Sequence, residues 1–257
     1  MNHKELAQEL NLQTRILSVA RKNNIEAADP VKAGCTLRGL NKVLNDGETI
    51  VLSAKTTSCR GGNRGFGFDD ELPPTPGGVG LFLSCGAGEG FPAGERIKAT
   101  PEIGEQMLLN QPMNVLNGNE FIEIKPYEDG DMLDLVSFLV NPDQLSALVT
   151  LFSYRSIDYD NVIAPMLSGC ASIFRIPFGE IGREKPRAVI GNMDFFQDRT
   201  SRRILFFSRF PGELLKICFR IRMSVSLLRR FGKVLRRDYD FFHSSSGRNL
   251  QKLYSTG

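Results

Sequence analysis

Apolar residues recur at helical spacing from Lys4 to Lys22: Leu6, Leu10, Leu12, Ile16, Leu17 and Val19, with no Gly or Pro between them. That spacing predicts one amphipathic helix over the whole stretch. Asp29-Pro30 predicts a turn. A second helical pattern runs from Thr36 to Leu44, with Leu37, Leu40, Val43 and Leu44 apolar. Asn45-Asp46-Gly47 ends it, because Gly and Asn tolerate the left-handed backbone of a helix C-terminus.

Strand patterns follow at Thr49–Ala54 (T-I-V-L-S-A), Phe121–Lys125 (F-I-E-I-K) and Leu133–Val140 (L-D-L-V-S-F-L-V). The first runs into a Gly-rich stretch from Cys59 to Phe68, expected to be a loop. Pro73 to Gly78 excludes regular structure. Val79 to Ser84 is a short apolar run leading to a second Gly-rich loop, Cys85 to Gly90. Phe66, Phe68, Phe82 and Phe91 are interleaved with these glycines and predict order rather than a free linker.

Thr100 to Asn110 predicts a helix with Pro101 at its start and Ile103, Met107 and Leu108 on one face. Asn141 is expected to cap a helix running to about Tyr154, with Pro142 in its first turn. Val162–Ala164 and Arg187–Ile190 read as short strands on either side of a turn holding Ser168, Gly169 and Cys170. The expected fold is mixed α/β: a single domain with a mixed sheet, flanking helices and Gly-rich loops, spanning residues 1–199, followed by a basic segment, 200–257.

Composition changes this picture in two places. At 257 residues and 41% hydrophobic, the chain can bury one large core. No apolar run is long enough for a membrane helix. The first residues open a charged helix rather than a signal peptide, so a cytoplasmic location is expected. The net charge of +3 conceals an asymmetry, since from Ser201 onward thirteen Lys and Arg face three Asp and Glu. The remainder is therefore acidic.

Five cysteines, Cys35, Cys59, Cys85, Cys170 and Cys218, are odd in number and widely spaced. That argues against a disulfide framework and against C-x-x-C metal or redox motifs. The two histidines, His3 and His243, lie near the chain ends and supply no Cys-His catalytic pair to the body.

Candidate chemistry centres on the Gly-rich stretches. Gly61, Gly62, Gly65 and Gly67 can expose backbone N–H groups to an anion or cofactor, with Arg60 and Arg64 supplying charge. The stretch lacks G-K-[ST] and is neither a Walker motif nor a dinucleotide fingerprint. Glu89 and Glu95 in the second loop either face a pocket or face solvent. Cys59, Cys170 and Cys35 each stand near a strand end or a helix start. There a thiol can be activated, or thiolates can converge on a metal or an iron–sulfur cluster. Plain packing of buried thiols is the alternative. Asp194, at the end of R-A-V-I-G-N-M-D, is either a functional acid or a turn residue.

Four segments taken together resemble a known family. They are Ser58-Cys59-Arg60-Gly61-Gly62 with Gly65-Phe66-Gly67-Phe68; Val140-Asn141-Pro142-Asp143-Gln144; Asn161-Val162-Ile163-Ala164-Pro165 with Ser168-Gly169-Cys170-Ala171-Ser172; and Lys185-Pro186-Arg187-Ala188-Val189-Ile190-Gly191 with Asp194. Their order and spacing, across roughly residues 24–199, resemble domain of unknown function 169, the uncharacterised ArCR group of archaea and bacteria. The resemblance implies a shared fold and a pocket built from the Cys59 and Cys170 loops, with Ser168 and Gly169 beside it. It implies no reaction, substrate or cofactor. The C-terminal part departs from the family pattern: Trp is absent and arginines are abundant. That departure reads as divergence, as a shifted reading frame near Thr200, or as a basic helix for nucleic acid or a membrane surface.

Three functions follow as expectations. One is a cytoplasmic enzyme or redox protein holding a small cofactor, metal or cluster between Cys59 and Cys170. Another is a non-catalytic module for a small-molecule ligand at the same place. The third, less favoured because the tail is unlike the family, is nucleic-acid binding through the basic segment.

Overall fold

A computed structural model of the chain describes residues 3–24, 36–57, 59–85, 97–154, 156–167, 169–191 and 205–209. The expected turn at Asp29-Pro30, the second Gly-rich loop with Glu89 and Glu95, and Asp194 lie outside the described residues, as do Cys35 and Ser168.

The first element departs from the sequence pattern. Helix α1 covers only His3–Glu9, and strand β1 occupies Leu17–Lys22. Asn11 ends the helix at φ 50°, in the left-handed region. The N–H groups of Asn11 and Leu12 donate back to the carbonyls of Gln8 and Ala7. This is a Schellman-type stop, for which Asn is the commonest substitute for Gly. Beyond it, Leu17 and Val19 alternate toward one face of a sheet, which their helical spacing from Leu6 had masked.

Helix α2 (Thr36–Asn41) continues as a π-helical turn, Lys42–Asp46, and stops at Gly47 with φ 77°. Strand β2 is Ile50–Ser53. Helices α3 (Arg60–Phe66), α4 (Val79–Leu83) and α5 (Pro101–Leu109) follow. Strands β3 (Phe121–Pro126) and β4 (Leu135–Val140) then lead into α6, Pro142–Ser153. As expected, Asn141 caps α6, and Gln144 returns a bond to the Asn141 N–H to complete a capping box. Strand β5 is Val162–Ile163. A helical segment over residues 169–180 contains a π-helical turn, Ala171–Arg175, and helix α7, Ile176–Glu180. Strands β6 (Ala188–Gly191) and β7 (Leu205–Arg209) close the described chain.

These strands form one seven-stranded sheet in the order β2-β3-β1-β4-β7-β6-β5. Every neighbouring pair is antiparallel except β5 and β6, which are parallel. The fold is thus α/β with a mixed sheet, as the sequence pattern predicts. Strand alternation sends residues to two cores. Leu17, Val19, Ile122, Ile124 and Leu135 meet Phe66, Phe174 and Phe178 on one face. Ile16, Val136, Phe138 and Val140 meet Leu6 and Leu10 of α1 and Leu148, Leu151 and Phe152 of α6 on the other. The sheet is therefore a middle layer, with α3 and the 169–180 segment over one face and α1 and α6 over the opposite one.

Two further expectations change. Of the predicted apolar face of α5, Leu108 is buried but Ile103 is half exposed. The Cys59–Phe68 stretch is largely helix rather than loop.

Candidate functional site

Glycines usually weaken a helix, by about 1 kcal/mol each relative to Ala. Helix α3 contains three, Gly61, Gly62 and Gly65, and packing explains two of them. A Cβ on Gly65 would stand 2.6 Å from the Cβ of Cys170 and 3.0 Å from the N of Ala171. A Cβ on Gly62 would stand 3.2 Å from the Cβ of Cys59. Gly61 faces open space. Gly67 follows the helix at φ 89° and its N–H closes onto Arg64 and Asn63 carbonyls. A side chain there would run into Val115. Gly67 thus terminates α3, while Gly65 lets the 169–180 segment lie directly on the α3 backbone.

Cys59 is the N-cap of α3: its Sγ accepts from the Gly62 N–H at 3.3 Å, and the residue is exposed. Cys170 does not sit on a turn at a strand end. It lies in the helical segment, at φ −59° and ψ −43°, seven residues beyond β5, and is partly exposed. Gly62 and Gly65 are i,i+3 neighbours on one face of α3. Cys59 packs on the first and Cys170 on the second, so the structure brings these two predicted residues to one strip of one helix. Gly169 is buried beside them, and its carbonyl accepts from the Ser172 hydroxyl at 3.0 Å. The backbone of Arg60 begins α3. Among the described residues, no three His, Cys, Asp or Glu side chains converge as metal ligands.

Arg64 does not offer its charge to a Gly-rich loop. It is 3% exposed, and its guanidinium donates to the carbonyls of Asp70, Glu71 (3.0 Å) and Leu108 (2.8 Å). Burial, reinforced by the neighbouring Arg175, pulls its pKa below the usual arginine value.

The residue that sequence reasoning missed is Arg175, which is fully buried. It donates to the Arg64 carbonyl at 2.6 Å, to the Asp69 carbonyl at 3.3 Å and to the Asp70 carboxylate. The other oxygen of Asp70 accepts from the Asn114 N–H at 2.9 Å. A cation thus closes the C-terminal end of α3, where carbonyls are left without helical partners. Phe66 and Phe174, with ring centroids 4.7 Å apart, complete the contact between the two segments. The available signal was an arginine inside an apolar run, I-F-R-I-P-F. A charge there has to be paired if it is buried.

Glu180 is likewise buried and holds Arg187 in a two-pronged pair at 2.8 and 3.0 Å. That bond to Glu180 raises the Arg187 pKa. It ties the end of α7 to the residue preceding β6. Among the described residues, no helix is long and apolar enough to cross a membrane.

No curated protein and no solved structure matches the chain. A family profile does match, over residues 5–201, from the middle of α1 through the Cys59 and Cys170 segments and beyond β6. The chain belongs to that family, the uncharacterised ArCR proteins of domain of unknown function 169.

Proposed function

We propose that this protein binds a small cofactor or other small-molecule ligand across the first turn of α3 and the start of the 169–180 segment. Cys59 is its contact thiol and Cys170 flanks it. The observation that carries the proposal is the strip itself: an exposed thiol on Gly62, a partly exposed one on Gly65, and open space beside Gly61. Gly61, the glycine of α3 that no other group packs against, leaves main chain open to the close approach of a ligand.

The test is anaerobic purification of the full chain, followed by metal analysis, an absorption spectrum and a thermal-shift screen of nucleotides, flavins and small carboxylic acids. A ligand that co-purifies or stabilises, and whose effect is lost in Cys59→Ala, supports the proposal. Stoichiometric metal with visible absorption would replace it with the cluster version. Colourless protein that no compound stabilises would overturn both.

A further inference from the structure

A second feature shares no lining residue with the α3 strip and lies where α1 meets the end of β3. A groove of about 560 Å³ opens there, within the size range of small-molecule sites. Its floor is apolar: Leu12, Ile16, Leu44 and Tyr127 line it, and the last three are buried. Two cations stand on its walls, Lys4 and Arg15. Arg15 is anchored through one nitrogen only, Nη1, which donates to the carbonyls of Leu44 (3.1 Å) and Asn45. Its Nε and Nη2 make no hydrogen bond or ion pair among the described residues. Gly47 makes room for the guanidinium, since a Cβ there would stand 3.1 Å from Nε. The acid on the rim, Glu128, lies 4.0 Å from His3 Nε2, and the adjacent Asp129 lies 3.0 Å from His3 Nδ1.

We infer that this groove binds a small carboxylic acid with a hydrocarbon body. The apolar floor takes the body. The free edge of Arg15 is a two-pronged donor matched to a carboxylate, and its third nitrogen is already fixed by the protein. Lys4, which also lines the groove, adds a second positive charge. A neutral amide of the same shape lacks the charge, and acetate lacks the body, so each is expected to bind at least roughly tenfold more weakly.

Calorimetric titration of the full chain with phenylacetate, phenylacetamide and acetate tests this. Saturable binding of phenylacetate, with the other two at least roughly tenfold weaker, is the expected result. Arg15→Gln should weaken phenylacetate to the level of the amide. Because Arg15 also holds the π-helical turn, Ala7→Phe serves as a second variant: it fills the groove from α1 and leaves Arg15 in place. Ala7→Phe should abolish binding. Absence of saturable phenylacetate binding, equal binding of the amide, or unchanged binding in Ala7→Phe would each overturn the inference. The Cys59→Ala variant should bind phenylacetate normally, which separates this groove from the α3 strip.

Discussion

The two faces of the sheet are closed by different physics. Over one face, α1 and α6 lay down Leu6, Leu10, Leu148, Leu151 and Phe152 against Val136, Phe138 and Val140. That contact is apolar area removed from water, and α6 starts at a capping box. Over the other face, α3 and the 169–180 segment also supply Phe66, Phe174 and Phe178. Their mutual fit, however, depends on a missing side chain at Gly65 and on a buried guanidinium, Arg175, bonded to backbone carbonyls. Apolar burial is non-directional and tolerates volume-conserving change. Glycine contacts and buried charge tolerate little, because a displaced partner leaves a clash or an unpaired polar group. The face carrying the proposed ligand strip is thus the one built with less freedom to vary.

The contrast is broken most directly at Arg175. Arg175→Ala removes the buried cation that faces Asp70 and its bonds to the Arg64 and Asp69 carbonyls, leaving Asp70 only the Asn114 N–H, at an expected cost of about 3–5 kcal/mol in denaturant unfolding. Hydrogen exchange should rise first in α3 and the 169–180 segment. A loss under about 1 kcal/mol would mean that the Phe66–Phe174 contact alone holds that layer.

On the opposite face, Leu148→Ala should cost about 3 kcal/mol through cavity formation. Exchange should there rise in α6 and leave α3 protected. Loss of protection in both layers at once would show that the two faces unfold as one unit.

Gly65→Ala decides between two opposed effects. Helix propensity alone would stabilise α3 by about 1 kcal/mol. The added Cβ would meet Cys170 at 2.6 Å, so the expected result is a net loss of about 1–3 kcal/mol. A gain in thermal midpoint would mean that the two segments part easily. Asn141→Ala, which removes the α6 capping box, should cost about 1 kcal/mol with no change in Cys59 accessibility to a thiol reagent.

The smallest effect is expected in the loop that follows β3 and leads to β4. Lys125 donates to Asp131 at 2.6 Å, and that hydrogen bond raises the Lys125 pKa. A raised lysine pKa contributes stability that is fully present below the usual lysine range and is lost as pH rises through the raised value. Lys125→Met should therefore cost roughly 0.5 kcal/mol near neutral pH, allowing for partial exposure. The gap from wild type should close above the usual lysine range, as read from unfolding curves across pH. A gap that persists at high pH would show that the lysine stem, not its charge, is what matters.

Where a local rule governed, the sequence sufficed. The Asn141-Pro142-Asp143-Gln144 cap, the Gly47 stop and the alternation of β3 were all legible, since each depends on residues within a few positions of one another. The α1 prediction failed because Leu12, Ile16, Leu17 and Val19 fit a helical period as well as a strand. Only pairing of Leu17–Lys22 with β3 and β4 selects the strand. The Cys59–Phe68 stretch failed for the converse reason. Glycine counts against a helix locally, and only contact with Cys170, more than a hundred residues later, makes a glycine helix the better solution.

The sequence by itself determined the mixed α/β class, the family and most strand positions, and it offered Cys59, Cys170 and Cys35 as candidates. Tertiary structure alone decided that Cys59 and Cys170 share one strip of α3, that Arg64 is a buried anchor rather than an anion contact, and that Arg175 joins the two segments. Local propensities are set by neighbours along the chain. Close backbone approach and the pairing of a buried charge are set by neighbours in space, and the pattern of apolar positions carries no record of which those will be.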